Sequence, residues 1–156
     1  MSDKATFLNM EGIHPEVARF LQAALHPVTP PAKILVIEDD PGIFTVLEFC
    51  ARNFNVELTF APTGEIGLKR LLGGGWNLVV LDIGLPDIQG MEVFRQMQEF
   101  DKRTPVVVIS GQLDITAAVN ALAKIGFAPF IKKPEHFNEA FISSLLKHHQ
   151  FTEKHL

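Results

Sequence analysis

Five short apolar runs, spaced along most of the chain, constrain its fold more than any other feature of the sequence. Four of them are continuously apolar and occupy residues 34–37, 78–81, 106–109 and 130–131. Three of these four are rich in β-branched residues, which is typical of parallel strands covered on both faces. The fifth run, residues 55–60, alternates only in part and fits a strand at the edge of a sheet.

Residues with helical spacing fill the intervals between the runs. Asp40, followed by Pro41, predicts the capped start of one helix, and Thr63 predicts the start of the next. Three later helices are predicted near residues 91–97, 115–122 and 137–145, the last with the apolar face Phe137, Ala140, Phe141, Ser144 and Leu145. The strict alternation of strand and helix over residues 33–149 predicts a doubly wound α/β domain, with a parallel sheet, helices on both faces and right-handed crossovers.

Two segments fall outside this alternation. Residues 1–32 are predicted to form an extension in which a helix opens at Pro15 and a proline-rich linker follows. The apolar face of this helix comprises Val17, Phe20, Leu21 and Ala24. We expect the helix to pack on the rest of the chain, with a homodimer contact or a docking helix for a partner as the alternatives. Residues 150–156 are predicted to form a polar, fraying tail.

Composition and charge argue against several classes of function. The net charge of −4 is spread along the chain, and the only basic runs are doublets, which argues against nucleic-acid binding. The apolar runs are too short to span a membrane. The single cysteine, Cys50, leaves no internal disulfide and no thiolate metal cluster. The first residues lack the basic and apolar stretches of a secretory signal, so the cytoplasm is the expected compartment.

Polar and charged side chains follow four of the five predicted strands. They are Glu38 and Asp39 after the first strand, Asp82 after the third, Ser110 after the fourth, and Lys132 and Lys133 after the fifth. Ligands of an open parallel sheet bind beyond the carboxyl ends of the strands, where the strand order reverses. Carboxylates that meet there raise one another's pKa unless a positive charge compensates. An all-oxygen set without His or Cys fits a hard divalent cation, Mg²⁺ before Zn²⁺.

Together these groups predict chemistry on a phosphoryl group. A divalent cation and a lysine ammonium neutralise phosphoryl oxygens, and the hydroxyl of Ser110 donates to one of them. Asp82 could then carry the phosphoryl group as an acyl phosphate. The alternative is that acids at strand ends are only solvated helix caps. We favour that interpretation for Asp40, because it precedes Pro41.

Four segments resemble motifs of the receiver domains of two-component response regulators, and they follow one another in the same order and at similar intervals as in that family. KILVIEDDPGI resembles the first strand and acidic pair of the family, and NLVVLDIGLPDIQGMEVFRQM resembles its phosphoacceptor segment, with the acceptor at Asp82. TPVVVISG resembles the strand that carries the switch hydroxyl. FIKKPE resembles the strand ending in which a lysine directly precedes a proline, here Lys133. The resemblance covers residues 33–149 and implies a flavodoxin-like sheet with the strand order 2-1-3-4-5.

The resemblance also implies a donor and a ligand set. A histidine kinase or a histidine phosphotransfer protein donates the phosphoryl group to Asp82. In the family's scheme, Mg²⁺ is held by residues that correspond to Asp39, Asp82 and the backbone carbonyl of Gly84, while Glu38 acts mainly through water. Lys133 stabilises the phosphoryl group.

The same scheme implies a switch. Ser110 stabilises the phosphoryl group and moves towards it, and the ring of Phe130 turns inward behind it. The surface that changes is the family's fourth helix, fifth strand and fifth helix, here residues 114–148, which a downstream protein reads. Phe130 stands where the family often has tyrosine, so it is either a switch residue or a core aromatic residue. No output domain is recognised, so we expect a single-domain phosphoacceptor and not an enzyme.

Three other functions are alternatives. A phosphate shuttle in a phosphorelay would pass the phosphoryl group on to a phosphotransfer partner. A receiver-like scaffold would act without phosphorylation, which the complete set of site residues disfavours. A Mg²⁺-dependent phosphohydrolase that uses an aspartyl phosphate usually needs a second acid two residues after its nucleophile, where this chain has Gly84.

Overall fold

The computed structural model describes residues 14–25, 29–111, 120, 130–133 and 138–154 of the 156-residue chain. Side chains are described in these ranges except at residues 21–25 and 130–132. The helix predicted near residues 115–122 lies outside the described residues, apart from residue 120. Pro134, Phe137 and residues 155–156 lie outside them too. The chain divides into two compact units, residues 1–30 and residues 31–156.

The first unit contains helix α1, Pro15–Leu25, which begins at the proline predicted to open it. Two side chains of its predicted apolar face, Val17 and Phe20, are exposed to solvent. None of the helices that the structure describes, in either unit, is long and apolar enough to cross a membrane.

Strands and helices alternate through the second unit. In chain order its elements are β1 (Ala32–Ile37), α2 (Pro41–Ala51), β2 (Val56–Ala61), α3 (Gly64–Leu72), β3 (Leu78–Asp82), α4 (Gly90–Phe100), β4 (Val106–Ser110), β5 (Phe130–Lys132) and α5 (Glu139–His148). The strands form one parallel sheet in the order β2-β1-β3-β4-β5. The predicted fold class, strand order and edge position of the second strand are confirmed.

The sheet is covered on both faces, because the residues of β1 alternate between two apolar clusters. Ile34 and Val36 pack in a cluster with residues of α2 and α5, among them Leu47. Leu35 and Ile37 pack in a second cluster, with residues of α3 and α4. A strand buried on both sides needs apolar residues at every position, which explains the continuous apolar runs.

The predicted helix caps form in the structure. The Asp40 carboxylate accepts a 2.8 Å hydrogen bond from the amide of Gly42, at the start of α2. The Thr63 hydroxyl oxygen accepts one of 3.2 Å from the amide of Ile66, at the start of α3. After α3 the glycines at 74–75 have φ angles of 69° and 81°, a left-handed conformation that favours glycine.

The buried face of α5 matches the predicted one only in part. Phe141 and Leu145 pack against the core as predicted, whereas Ala140 and Ser144, predicted to face it, are exposed. The fully buried residues of the helix are Ile142 and Leu146. The helix begins after the N-cap residue Asn138. Apolar residues recur at helical spacing on two adjacent stripes of this helix, and the pattern alone does not say which stripe is the more deeply buried.

The segment after α5 is folded back onto the domain. Phe151 packs against the apolar cluster that contains residues of α2 and α5. The amide of Asn55 donates a 2.8 Å hydrogen bond to the carbonyl of Thr152, and Phe54 and Glu153 form an antiparallel bridge. Residues 151–154 thus lie along the turn that precedes β2, and the fraying predicted for the tail is wrong for these residues.

Candidate functional site

The carboxyl ends of β1 and β3 meet at the centre of the sheet, where the strand order reverses. β1 has β2 on one side and β3 on the other, and ligands of such sheets bind at this point. Glu38 follows β1 directly, and Asp82 is the last residue of β3. Because Ile37 pairs with Leu81, the two acids come level at the same edge of the sheet.

Three carboxylates cluster at this edge. Glu38, Asp39 and Asp82 each offer one carboxylate oxygen, and these oxygens lie within 4.8 Å of one another. Glu38 and Asp82 are 0 % and 4 % exposed, whereas Asp39 is exposed. The structure thus brings together the three acids that the sequence singles out. Every donor atom is an oxygen, and such a set fits Mg²⁺ better than a softer metal.

Lys133 supplies a positive charge next to the two buried acids. Its Nζ lies 2.6 Å from Glu38 Oε2 and 3.5 Å from Asp82 Oδ2. Its backbone amide donates a 2.7 Å hydrogen bond to the carbonyl of Ser110, which anchors the lysine beside the end of β4. Its side chain is only 14 % exposed, so its charge is weakly screened. The side chain of Lys132 lies outside the described residues.

Glu38 is bound at both of its carboxylate oxygens. Oε2 accepts a hydrogen bond from Lys133, and Oε1 accepts one of 3.1 Å from the amide of Asp40. Burial raises the pKa of Glu38 from 4.5 to about 7. The bonds from Lys133 and Asp40 oppose this rise, and the charge of Asp82 adds to it. The sequence predicts a raised pKa from like charges, but burial is the larger cause.

The loop after β3, residues 83–89, begins and ends close to Asp82. Asp82 Oδ1 accepts a 3.2 Å hydrogen bond from the amide of Gly84, so Gly84 is held beside the acid. At the other end, the amide of Gly90 donates a 2.9 Å hydrogen bond to the carbonyl of Ile83. A Cβ at Gly90 would collide with backbone atoms of Asp82 and Ile83, so this close approach needs glycine.

Ser110 and Phe130 lie on the strands next to β3. Ser110 is buried and is the last residue of β4. Since Asp82 pairs with Ile109, Ser110 reaches the same edge of the sheet as the acids. Phe130 begins β5 with its Cα opposite Val108, and its ring lies outside the described side chains.

One residue of this region, Asp87, is absent from the site predicted from the sequence. Its Oδ1 accepts a 2.8 Å hydrogen bond from the amide of Gly64, and its Oδ2 accepts one of 2.9 Å from the amide of Glu65. Hydrogen bonds from the amides of Glu65 and Gly64 lower the pKa of Asp87. An acid that follows a proline in a loop is a visible signal in the sequence. Its partners lie 22 and 23 residues earlier, and no local pattern identifies them.

These features define a class of protein. A flavodoxin-like sheet, with buried acids after its first and third strands and a lysine after its fifth, is the arrangement that the sequence motifs lead us to expect for receiver domains. The chain belongs to this family, since the model of the response regulator receiver domain matches residues 34–143.

Particular relatives agree with this family assignment. The chain is 33 % identical over 106 residues to YkoG, an uncharacterized transcriptional regulatory protein of Bacillus subtilis, a match that covers 68 % of this chain and 46 % of YkoG. It is 31 % identical over 110 residues to the response regulator ArlR of Staphylococcus haemolyticus, a match that covers 69 % of this chain and 48 % of ArlR. The chain therefore spans about half the length of these relatives.

A solved structure shows the same fold. The BeF3-activated receiver domain of DrrB, a Thermotoga maritima protein, is similar to this chain with a TM-score of 0.66 and 26 % identity. The match covers 77 % of this chain and 97 % of the DrrB domain.

Proposed function

We propose that this chain accepts a phosphoryl group on Asp82 from a histidine kinase or a histidine phosphotransfer protein in the cytoplasm, and that it signals through a phosphorylation-dependent protein contact. The observation that carries the proposal is the position of Lys133, whose Nζ lies 2.6 Å from Glu38 and 3.5 Å from Asp82. An ammonium at this place neutralises the charge that a phosphoryl group brings to Asp82. Membership of the receiver family supports the same role.

The transfer is a displacement at phosphorus. A carboxylate oxygen of Asp82 forms the new P–O bond while the P–N bond to the donor's histidine breaks. The imidazole nitrogen keeps the electron pair and takes up a proton from water. Asp82 Oδ1 is bound by the amide of Gly84, and Oδ2 faces Lys133. This carboxylate is therefore oriented before the donor arrives, and positioning with electrostatic stabilisation supplies most of the catalysis in phosphoryl transfer.

Mg²⁺ is the cation that we propose for the acidic cluster. Asp39, Asp82 and the carbonyl of Gly84 would hold it, with Glu38 acting through water. A bound Mg²⁺ neutralises phosphoryl oxygens and orients the reacting group. Both oxygens of Glu38 are engaged by Lys133 and by a backbone amide, which supports a role for Glu38 in positioning the lysine.

The signal is proposed to pass through Ser110 and Phe130 to the surface formed by residues 114–148. Ser110 is buried, and its carbonyl accepts the amide of Lys133. A shift of Ser110 towards the phosphoryl group on Asp82 therefore also pulls on the residue that follows β5. A downstream protein that binds the shifted surface better than the resting one would stabilise the phosphorylated state.

Intact-protein mass spectrometry tests the proposal. The full chain is incubated with acetyl phosphate and Mg²⁺ beside Asp82→Asn, which keeps the size of the side chain and removes the carboxylate nucleophile. We expect a gain of one phosphoryl group that requires Mg²⁺, is absent in the variant and is reversed by hydroxylamine. No gain from acetyl phosphate, and none from phosphorylated histidine phosphotransfer proteins, would refute the proposal. Sustained release of phosphate from small phosphate esters would point instead to a phosphohydrolase.

A further inference from the structure

Asp87 links the loop after β3 to the start of α3. Both of its carboxylate oxygens are used, one by the amide of Gly64 at 2.8 Å and the other by the amide of Glu65 at 2.9 Å. These amides are among the first of α3, which have no acceptor within the helix. A carboxylate at this end of a helix is also favoured by the helix dipole. The contact is therefore a two-point polar link between distant parts of the chain.

Apolar packing fixes the same two segments to each other. An ideal Cβ built on Gly64 would lie 3.1 Å from Ile88 Cβ and 3.0 Å from Val93 Cγ2. The backbone at the start of α3 thus lies directly against Ile88, the residue after Asp87. Ile88 in turn packs against the apolar cluster on the α3 and α4 face of the sheet. The second half of the loop is therefore held to α3 by two hydrogen bonds of Asp87 and by the packing of Ile88.

The first half of the loop contacts the acidic cluster through the amide of Gly84. The amide of Gly84 binds Asp82 Oδ1, and the carbonyl of Ile83 accepts the amide of Gly90. Few residues separate Gly84 from Asp87, and Pro86 between them has a fixed φ. The orientation of the Gly84 peptide therefore depends on where Asp87 is held.

We propose that Asp87 is a positioning residue of the phosphorylation site: by tying the loop to α3, it holds the Gly84 peptide in the orientation that cation binding and phosphoryl transfer require. This inference rests on the proposed function of Asp82. The amides that bind Asp87 lower its pKa, so it remains ionised, and the link persists, at neutral pH. Asp87 touches neither the phosphoryl group nor the cation and acts through the backbone of the loop.

The chain offers a matched control for the test. Asp87→Ala removes both hydrogen bonds to α3, and Asp87→Asn keeps one acceptor oxygen. Thr63→Ala removes a different cap of the same helix, the bond from the amide of Ile66 to the Thr63 hydroxyl, and leaves the loop intact. Each full-length variant is compared with the wild type by amide hydrogen exchange without Mg²⁺, by calorimetric titration with Mg²⁺, and by the rate of phosphorylation by acetyl phosphate.

In Asp87→Ala we expect faster exchange at the amides of Gly84 and Gly90 and a Mg²⁺ dissociation constant about tenfold higher, the lower end of the losses found when residues that orient metal ligands are replaced. The exchange rates and the Mg²⁺ dissociation constant of Asp87→Asn should lie between those of Asp87→Ala and those of the wild type. Thr63→Ala should lower the melting temperature without changing the exchange of the Gly84 amide or the Mg²⁺ affinity. If Asp87 only stabilised the start of α3, the two alanine variants would have the same effects.

The inference is overturned if Asp87→Ala keeps wild-type exchange at Gly84, or if Thr63→Ala changes exchange and affinity as much as Asp87→Ala does. Failure of the proposed function gives a different result. In that case the wild type is not phosphorylated by any donor, while the exchange data still show whether Asp87 holds the loop.

Discussion

Replacement of Glu38 by glutamine tests how the buried acid titrates. Burial raises the pKa of Glu38 from 4.5 to about 7, so the folded chain binds this proton more tightly than the unfolded chain does. Between these two pH values the folded state carries more protons, and the free energy of unfolding therefore falls as the pH rises. Each tenfold change in proton affinity is worth about 1.4 kcal/mol, so the total loss is about 3 kcal/mol. Glutamine is neutral throughout and does not incur this loss.

The measurement is urea unfolding in EDTA at a series of pH values from about 4 to about 8, which spans the titration. The single tryptophan, Trp76, is half-buried and reports unfolding by fluorescence. We expect the free energy of unfolding of Glu38→Gln, minus that of the wild type, to rise by about 3 kcal/mol across this range. Glu57→Gln, at an exposed position of β2, controls for the loss of one carboxylate. If the free energy of unfolding depends on pH in the same way in the wild type and in Glu38→Gln, burial does not raise the pKa of Glu38, and the reasoning is refuted.

Three further substitutions test other parts of the structure. Lys133→Met leaves the buried Glu38 without its ammonium partner. In urea unfolding at pH 8 the free energy of unfolding should therefore fall by about 3 kcal/mol. At pH 5, where Glu38 is protonated, the free energy of unfolding should fall much less. Gly90→Ala drives a Cβ into the backbone at the end of β3, and its melting temperature should fall sharply, whereas Gly111→Ala, with open space at its Cβ, should melt like the wild type. Asp40→Ala removes the cap of α2 and should cost about 1 kcal/mol in urea unfolding; an unchanged value would show that solvent satisfies the helix start equally well.

The features predicted from sequence are those encoded locally. The apolar runs and the caps at Asp40 and Thr63 each depend on neighbouring residues, and all appear in the structure. The convergence of Glu38, Asp82 and Lys133 follows from the strand alternation, because parallel strands bring their carboxyl ends to one edge.

The features that sequence reasoning missed depend on contacts between distant segments. The two bonds from Asp87 cross to a helix that begins more than twenty residues earlier. Burial as the main cause of the raised pKa of Glu38 requires the packed environment of the acid, which no spacing pattern describes. The buried face of α5 depends on how the helix is rotated against the sheet, and two adjacent stripes were compatible with the pattern.

The hydrogen bond between Asn55 and Thr152 has a consequence for the kinetics of folding. It joins residues about 100 positions apart, and the entropy lost on closing so long a loop must be offset by contacts formed earlier. The turn before β2 and helix α5 must both be in place before this bond contributes, so we expect it to form after the rate-limiting step. An interaction absent from the transition state slows unfolding without accelerating folding. The segment that follows α5 therefore prolongs the lifetime of the folded domain more than it raises the rate at which the domain forms.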